Sequence, residues 1–216
     1  MANASTKYRI AINGYGRIGQ CVLRALVERQ HPELEVVAIN ELSDLATITY
    51  LTRYDTTHGR FPGEVDNDGS ALLVNGQRIH VLCERDPQAL PWGELDIDLV
   101  LECSGSFKDR ATAEQHLTAG AKRLLFSQPA ENDVDATIVW GINEHELAPT
   151  QRILSAASCT TNCLVPLLTV LLESVSLLRF QPLTVLSDVQ AQYVPSTAAV
   201  PFTHKLMSPD GLQFCA

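Results

Sequence analysis

The 216-residue chain has no apolar run approaching the roughly 20 residues that a membrane-spanning helix needs. Positive charge is scarce: 16 Lys and Arg stand against 25 Asp and Glu, a formal net charge of −9. That balance favours solubility and argues against a broad nucleic-acid surface or an anionic-membrane surface. Neither nucleic acid nor membrane is therefore expected as a partner. Residues 1–7 are polar and lack the apolar core of a signal peptide. The six cysteines, at 21, 83, 103, 159, 163 and 215, never fall at the two-residue gap of a zinc knuckle, and no paired His or Cys cluster completes a site. No metal is expected, and free thiols in a reduced, cytoplasmic setting are the simplest account. Internal repeats and low-complexity linkers are also missing.

What is present is ordinary globular composition, 45% apolar and 19% charged, in a chain long enough for one or two domains. Tyr8-Arg9-Ile10-Ala11-Ile12 reads as a short buried strand. It runs into Asn13-Gly14-Tyr15-Gly16-Arg17-Ile18-Gly19, after which Val22, Leu23, Leu26 and Val27 fall at helical spacing to about Arg29. Strand, G-x-G-x-x-G and helix in that order is the context of a dinucleotide fingerprint. Gly14 permits the tight turn, Gly16 lets the backbone approach a pyrophosphate, and Gly19 lets helix and strand pack closely. The next strand, Glu35–Ile39, ends in Asn40-Glu41. An acid there accepts hydrogen bonds from an adenosine ribose and repels a 2′-phosphate, which favours NAD over NADP.

Asp44–Leu51 reads as a helix, and Tyr54–Gly63 as a polar connection in which His58 and Arg60 are second-rank site candidates. Asn75-Gly76 between Ala71–Val74 and Arg78–Leu82 predicts a β-hairpin. Leu90-Pro91-Trp92 reads as a short helix start. Ile97–Glu102 is a strand with Cys103-Ser104-Gly105 at its carboxyl end, where α/β sheets bind ligands, so Ser104 and Gly105 are cofactor-side candidates. A helix over Arg110–Ala119 stops at Gly120, and Arg123–Ser127, Thr137–Val139 and Arg152–Ser155 read as further short strands. The alternation predicts an α/β fold, a doubly wound parallel sheet of the Rossmann type.

Ser155-Ala156-Ala157-Ser158-Cys159-Thr160-Thr161-Asn162-Cys163 precedes a mostly apolar run, Leu164–Leu172. Small and hydroxyl residues surround a cysteine where a helix pattern begins. A helix N-terminus presents unpaired N–H groups that favour thiolate over thiol and also hold anions. The commoner fate of such a cysteine is that of a small apolar residue.

Together, the glycine turn, Tyr54-Asp55 with His58-Gly59-Arg60-Phe61, and above all Ser158-Cys159-Thr160-Thr161-Asn162-Cys163 resemble the phosphorylating glyceraldehyde-3-phosphate dehydrogenase superfamily over roughly residues 7 to 175. Ala38-Ile39-Asn40-Glu41-Leu42, Leu90-Pro91-Trp92 and Asn132-Asp133-Val134-Asp135-Ala136-Thr137 are most similar to its D-erythrose-4-phosphate dehydrogenase branch. The resemblance implies NAD as cofactor, held by Gly14, Gly16, Arg17, Ile18, Gly19, Glu41, Arg85, Ser104 and Ser127. It implies a small phosphorylated aldehyde as substrate, bound by Ser158, Cys159 and Thr160. Cys159 would be the catalytic nucleophile and its backbone N–H an oxyanion donor, while Cys163 would be structural. Family members are usually homotetramers.

The resemblance also sets expectations for the rest of the chain. The family's activating histidine falls, counted without gaps, at Leu186, 27 residues beyond Cys159. From about Ser176 the sequence no longer resembles the family. The expected organisation is an NAD-binding domain over residues 1–155, the start of a catalytic α+β domain over 156–175, and an unmatched tail over 176–216, with impaired turnover in a truncated or altered chain.

Overall fold

The structure, a computed structural model, describes residues 7–174. Leu186 and the tail over 176–216 lie outside the described residues.

The first strand, β1 (Tyr8–Asn13), is buried from Ile10 onward. A strand covered on both faces carries a continuous apolar run rather than an alternation, as Ile10-Ala11-Ile12 does. It is followed by α1 (Arg17–Glu28), β2 (Leu34–Asn40), α2 (Leu45–Arg53), β3 (Tyr54–Asp55), β4 (Gly59–Arg60) and β5 (Val65–Asn67). Then come β6 (Ala71–Val74), β7 (Gln77–Leu82), β8 (Leu99–Glu102) and α3 (Arg110–Thr118). The described chain closes with β9 (Arg123–Phe126), β10 (Ala136–Thr137), β11 (Ile153–Ser155) and α4 (Cys159–Ser174).

Among the described residues nine strands form one sheet, in the order β10-β11-β9-β8-β1-β2-β7-β6-β5. Pairing is parallel from β10 through β7, and antiparallel where the hairpin adds β6 and β5. The chain moves from β1 to β2 on one side and returns to β8 on the other, so the strand order reverses between β1 and β8. Neighbouring β1 residues feed opposite cores. Ala11 packs with Trp92, Ala113, Phe126 and Ile153 on the α3 face. Ile12 packs with Leu23, Ile48 and Leu72 on the α1 and α2 face.

Several details differ from the sequence reading. The Tyr54–Gly63 connection contains the small antiparallel pair β3–β4. Its carbonyls at His58, Gly59 and Arg60 are held by the buried Arg24 guanidinium. The hairpin acquires an outer strand, β5, too short and too polar to read from pattern. A 3-10 turn over Pro87–Ala89, capped by the Asp86 carboxylate, replaces a helix start at Leu90, because Asp86-Pro87 supplies both cap and first helical residue. The expected Thr137–Val139 strand is paired only over Ala136–Thr137. Among the described residues no helix is long and apolar enough to cross a membrane.

Candidate functional site

The parallel strands end on a shared edge. Register pairs Asn40 with Asn13, Asn13 with Glu102, Glu102 with Phe126, Phe126 with Ser155, and Ser155 with Thr137. Residues just beyond that row therefore line up along the carboxyl edge of the sheet: the Gly14 turn, Glu41, Ser104, Ser127 and the loop leading to Cys159.

Where the strand order reverses there is a cleft of about 340 Å³. Gly14, Gly16, Glu41, Arg85 and Ser104 line it, together with Asn13, Asn40, Leu42 and Phe107. Gly14 has φ +88, and a Cβ there would lie 2.4 Å from both N and Cα of Ser104. A Cβ on Gly19 would meet the Gly14 carbonyl oxygen at 2.4 Å, whereas one on Gly16 would meet nothing within 4 Å. Two glycines thus allow close backbone packing, and the third leaves space beside the helix entrance. The N-terminus of α1 has no side-chain cap and no acid in its first turn, so its N–H groups are left for an anion. These residues fit a dinucleotide pyrophosphate.

Glu41 does more than face the cleft. Its Oε2 accepts the Tyr15 N–H at 2.7 Å and its Oε1 accepts the Leu42 N–H at 2.7 Å, so the acid also fixes the glycine turn. The Tyr15 ring is buried behind that turn, its hydroxyl 3.0 Å from Thr52 Oγ1, and burial holds its phenol far above the ordinary range.

Other expected cofactor residues lie outside the cleft lining. The Arg17 guanidinium pairs with Asp55, and the Ile18 side chain is exposed. Gly19 is buried behind the turn, and Ser127 follows β9 with its N–H on the Glu102 carbonyl at 3.0 Å. Asp55 is held well below the usual carboxylate range, first by the His58 N–H and against the opposing effect of desolvation, with the Thr57 N–H and Arg17 adding to it. Cys21, Asp55 and His58 bring potential ligand atoms within 4.8 Å of one another. The Arg17 cation paired to Asp55 opposes a metal ion there.

Cys159 is the first residue of α4 and is exposed. Ser158 caps the helix, its Oγ accepting the Thr161 N–H at 2.9 Å and lying 2.7 Å from Thr161 Oγ1. Asn162 Nδ2 donates to the carbonyls of Ala156 and Ser158, bracing the loop. Ala157 is buried with φ 59, a left-handed residue in the approach to the cysteine. Thr160 is exposed, and its hydroxyl is 4.0 Å from Cys159 Sγ. Cys163 is exposed rather than packed as a structural thiol. Cys103, beside the cleft, is the contrasting case: burial pushes its thiol up to about 11, only partly offset by Ser127.

Sequence reasoning missed Glu102 and His116, both fully buried behind the cleft. The only signal was a carboxylate at the last position of an apolar strand.

Residues 8–110 match the family described as glyceraldehyde 3-phosphate dehydrogenase, NAD binding domain. The chain is 54% identical over 173 residues to the chromosomal glyceraldehyde-3-phosphate dehydrogenase of Cupriavidus necator, covering 79% of this chain and 51% of that relative. The plasmid-borne glyceraldehyde-3-phosphate dehydrogenase of the same organism matches with the same identity and coverage. The chain thus spans about half the length of the curated relatives it matches. The match, the glycine turn and the acid-lined cleft agree: residues 8–110 are similar to the NAD binding domain of glyceraldehyde 3-phosphate dehydrogenase, and the dinucleotide is NAD.

Proposed function

We propose that the chain carries the NAD cleft and the nucleophile of an oxidoreductase acting on a small phosphorylated aldehyde. The supporting observation is the placement of Cys159 at the exposed start of α4, on the same sheet edge as the cleft. Gly14, Gly16, Glu41, Arg85 and Ser104 would hold NAD, with Arg17, Ile18, Gly19 and Ser127 flanking them. Bound NAD supplies the hydride acceptor.

Cys159 Sγ, as thiolate, would attack the aldehyde carbon, forming a C–S bond while the carbonyl pair moves to oxygen. The Cys159 N–H would donate to that oxyanion, and Ser158 and Thr160 would hold the substrate phosphate or the attacking anion. Loss of hydride from the same carbon leaves a thioester on Cys159. Water would then release an acid, or phosphate an acyl phosphate, returning the thiol.

D-Erythrose 4-phosphate, giving 4-phosphoerythronate, is the substrate favoured by Ala38–Leu42 and Asn132–Thr137. Glyceraldehyde 3-phosphate is the second reading, favoured by the names of both relatives. The test is NADH formation by the full chain with each aldehyde, with and without phosphate. Turnover that is faster with the erythrose compound, independent of phosphate and abolished in Cys159→Ser supports the first reading. Phosphate-dependent turnover of glyceraldehyde 3-phosphate supports the second. Tight NAD binding without aldehyde-dependent reduction in the wild-type chain would leave an NAD-binding module of another functional class.

A further inference from the structure

Behind the cleft lies a chain of buried polar groups that the proposed chemistry does not use. Glu102 and His116 are both 0% exposed. The Glu102 carboxylate accepts from Asn13 Nδ2 at 2.5 Å, from the Ser104 N–H at 2.8 Å, and from the Ser104 hydroxyl. Trp92 Nε1 donates to His116 Nδ1 at 3.0 Å. An indole nitrogen only donates, so Nδ1 is unprotonated and the imidazole proton sits on Nε2. Among the described residues that atom has no hydrogen-bond partner, and Glu102 Oε2 lies 3.5 Å from it.

From Glu102 the network runs outward into the cleft wall. Asn13 Oδ1 accepts from Asn40 Nδ2 at 2.7 Å. The Asn40 amide bridges Glu84, donating to its carbonyl at 2.8 Å and accepting its N–H at 2.9 Å. On the other side Ser104 Oγ accepts the Ser106 N–H at 3.1 Å. Asn13, Asn40, Glu84, Ser104 and Ser106 all line the cleft. A buried carboxylate is a poor source of stability, since an apolar side chain of equal volume does as well or better. What it provides is direction: the Asn13 amide, the Ser104 N–H and the Ser104 hydroxyl all donate to it, and the His116 Nε2 proton lies on its remaining side.

We propose that Glu102, oriented by the Trp92–His116 pair, is a positioning residue for the dinucleotide. It sets the Gly14 turn and the Ser104 loop at the separation that NAD requires, so the cleft exists before the ligand arrives and less ordering opposes binding. The proposal rests on the NAD reading of the cleft.

The test measures the NAD dissociation constant and the thermal midpoint of the full chain as wild type, Glu102→Gln, Trp92→Phe and Ile79→Val. Glu102→Gln keeps the volume but turns an amide toward neighbouring donors. Trp92→Phe keeps an aromatic ring but frees the His116 tautomer. Ile79→Val trims a buried side chain outside the cleft lining and serves as the stability control. Well below each midpoint, the dissociation constant is expected to rise about tenfold in Glu102→Gln and about threefold in Trp92→Phe, with no change in Ile79→Val. Unchanged NAD affinity in both network variants, despite lowered midpoints, makes the network purely structural and overturns the proposal. If Glu102→Gln does not fold, Trp92→Phe decides alone. A wild-type chain that binds no NAD overturns the cofactor reading, and this proposal with it.

Discussion

Two glycines two positions apart do opposite things. At Gly14 a side chain meets both backbone atoms of Ser104 and a positive φ, so relief requires moving β8 relative to β1. At Gly16 φ is −76 and the space is open. Gly14→Ala is therefore expected to lose about 1–3 kcal/mol from backbone conformation alone, with more from the clash, and to abolish NAD binding. Gly16→Ala is expected to change stability by less than about 1 kcal/mol while weakening NAD at least about tenfold, because the added methyl occupies room meant for the ligand. Thermal unfolding and calorimetry on both variants would check this; a Gly16→Ala protein that binds NAD normally would move the pyrophosphate away from this turn. These glycines were legible because their requirements are local. Glu102 and His116 were not, since their burial depends on Trp92 arriving from a different segment and on α3 covering the β8 face.

Elements differ in how much of them the sequence declares. Strands β1 and β2, α1 and the Asn75-Gly76 hairpin follow from runs, spacing and turn chemistry, and Asn75 and Gly76 do carry the positive φ values such a turn demands. The outer strand β5 and the β3–β4 pair are fixed instead by partners distant in sequence, which periodicity does not register. The start of α4 was readable from its hydroxyl residues, but the division of labour among them was not. Ser158 spends its hydroxyl on the Thr161 N–H. Ser158→Ala should cost about 1 kcal/mol and speed hydrogen exchange at the Thr161 amide, leaving the NAD cleft unchanged. An exchange rate at Thr161 identical to wild type would show that another group caps this helix.

Over the whole molecule, several carboxylates titrate below their ordinary range. Asp55 is lowered chiefly by the His58 N–H, and Asp68 by the Ser70 hydroxyl and N–H. For Asp98 and Asp135, burial acts in the raising direction. It is outweighed by the Arg9 N–H and Lys122 at Asp98, and by the Ile153 and Arg152 N–H groups and Arg110 at Asp135. A folded-state value below the unfolded one contributes stability above the unfolded value, which is lost as pH falls through the folded one. Thermal stability is expected to be flat from about pH 5 upward through neutrality and to drop steeply below about pH 4, since the unfolded carboxylates titrate near 3.9. Unfolding midpoints across that range would check it, and a drop already complete at pH 5 would contradict these assignments. Stability and association are separate matters at this scale. Leu164, Leu167, Val170 and Leu171 leave one side of α4 exposed, whereas the sheet core is closed on both faces.

The two tryptophans sit in opposite surroundings: Trp92 is 0% exposed with its indole N–H on His116, and Trp140 is 80% exposed. Under excitation selective for tryptophan the protein thus carries two fluorophores, one emitting from a dry interior and one from water. A soluble quencher should extinguish only the red-edge component in the native state. With Trp140 replaced by Phe, the remaining emission becomes an optical gauge of the wall behind the cleft, without any added label.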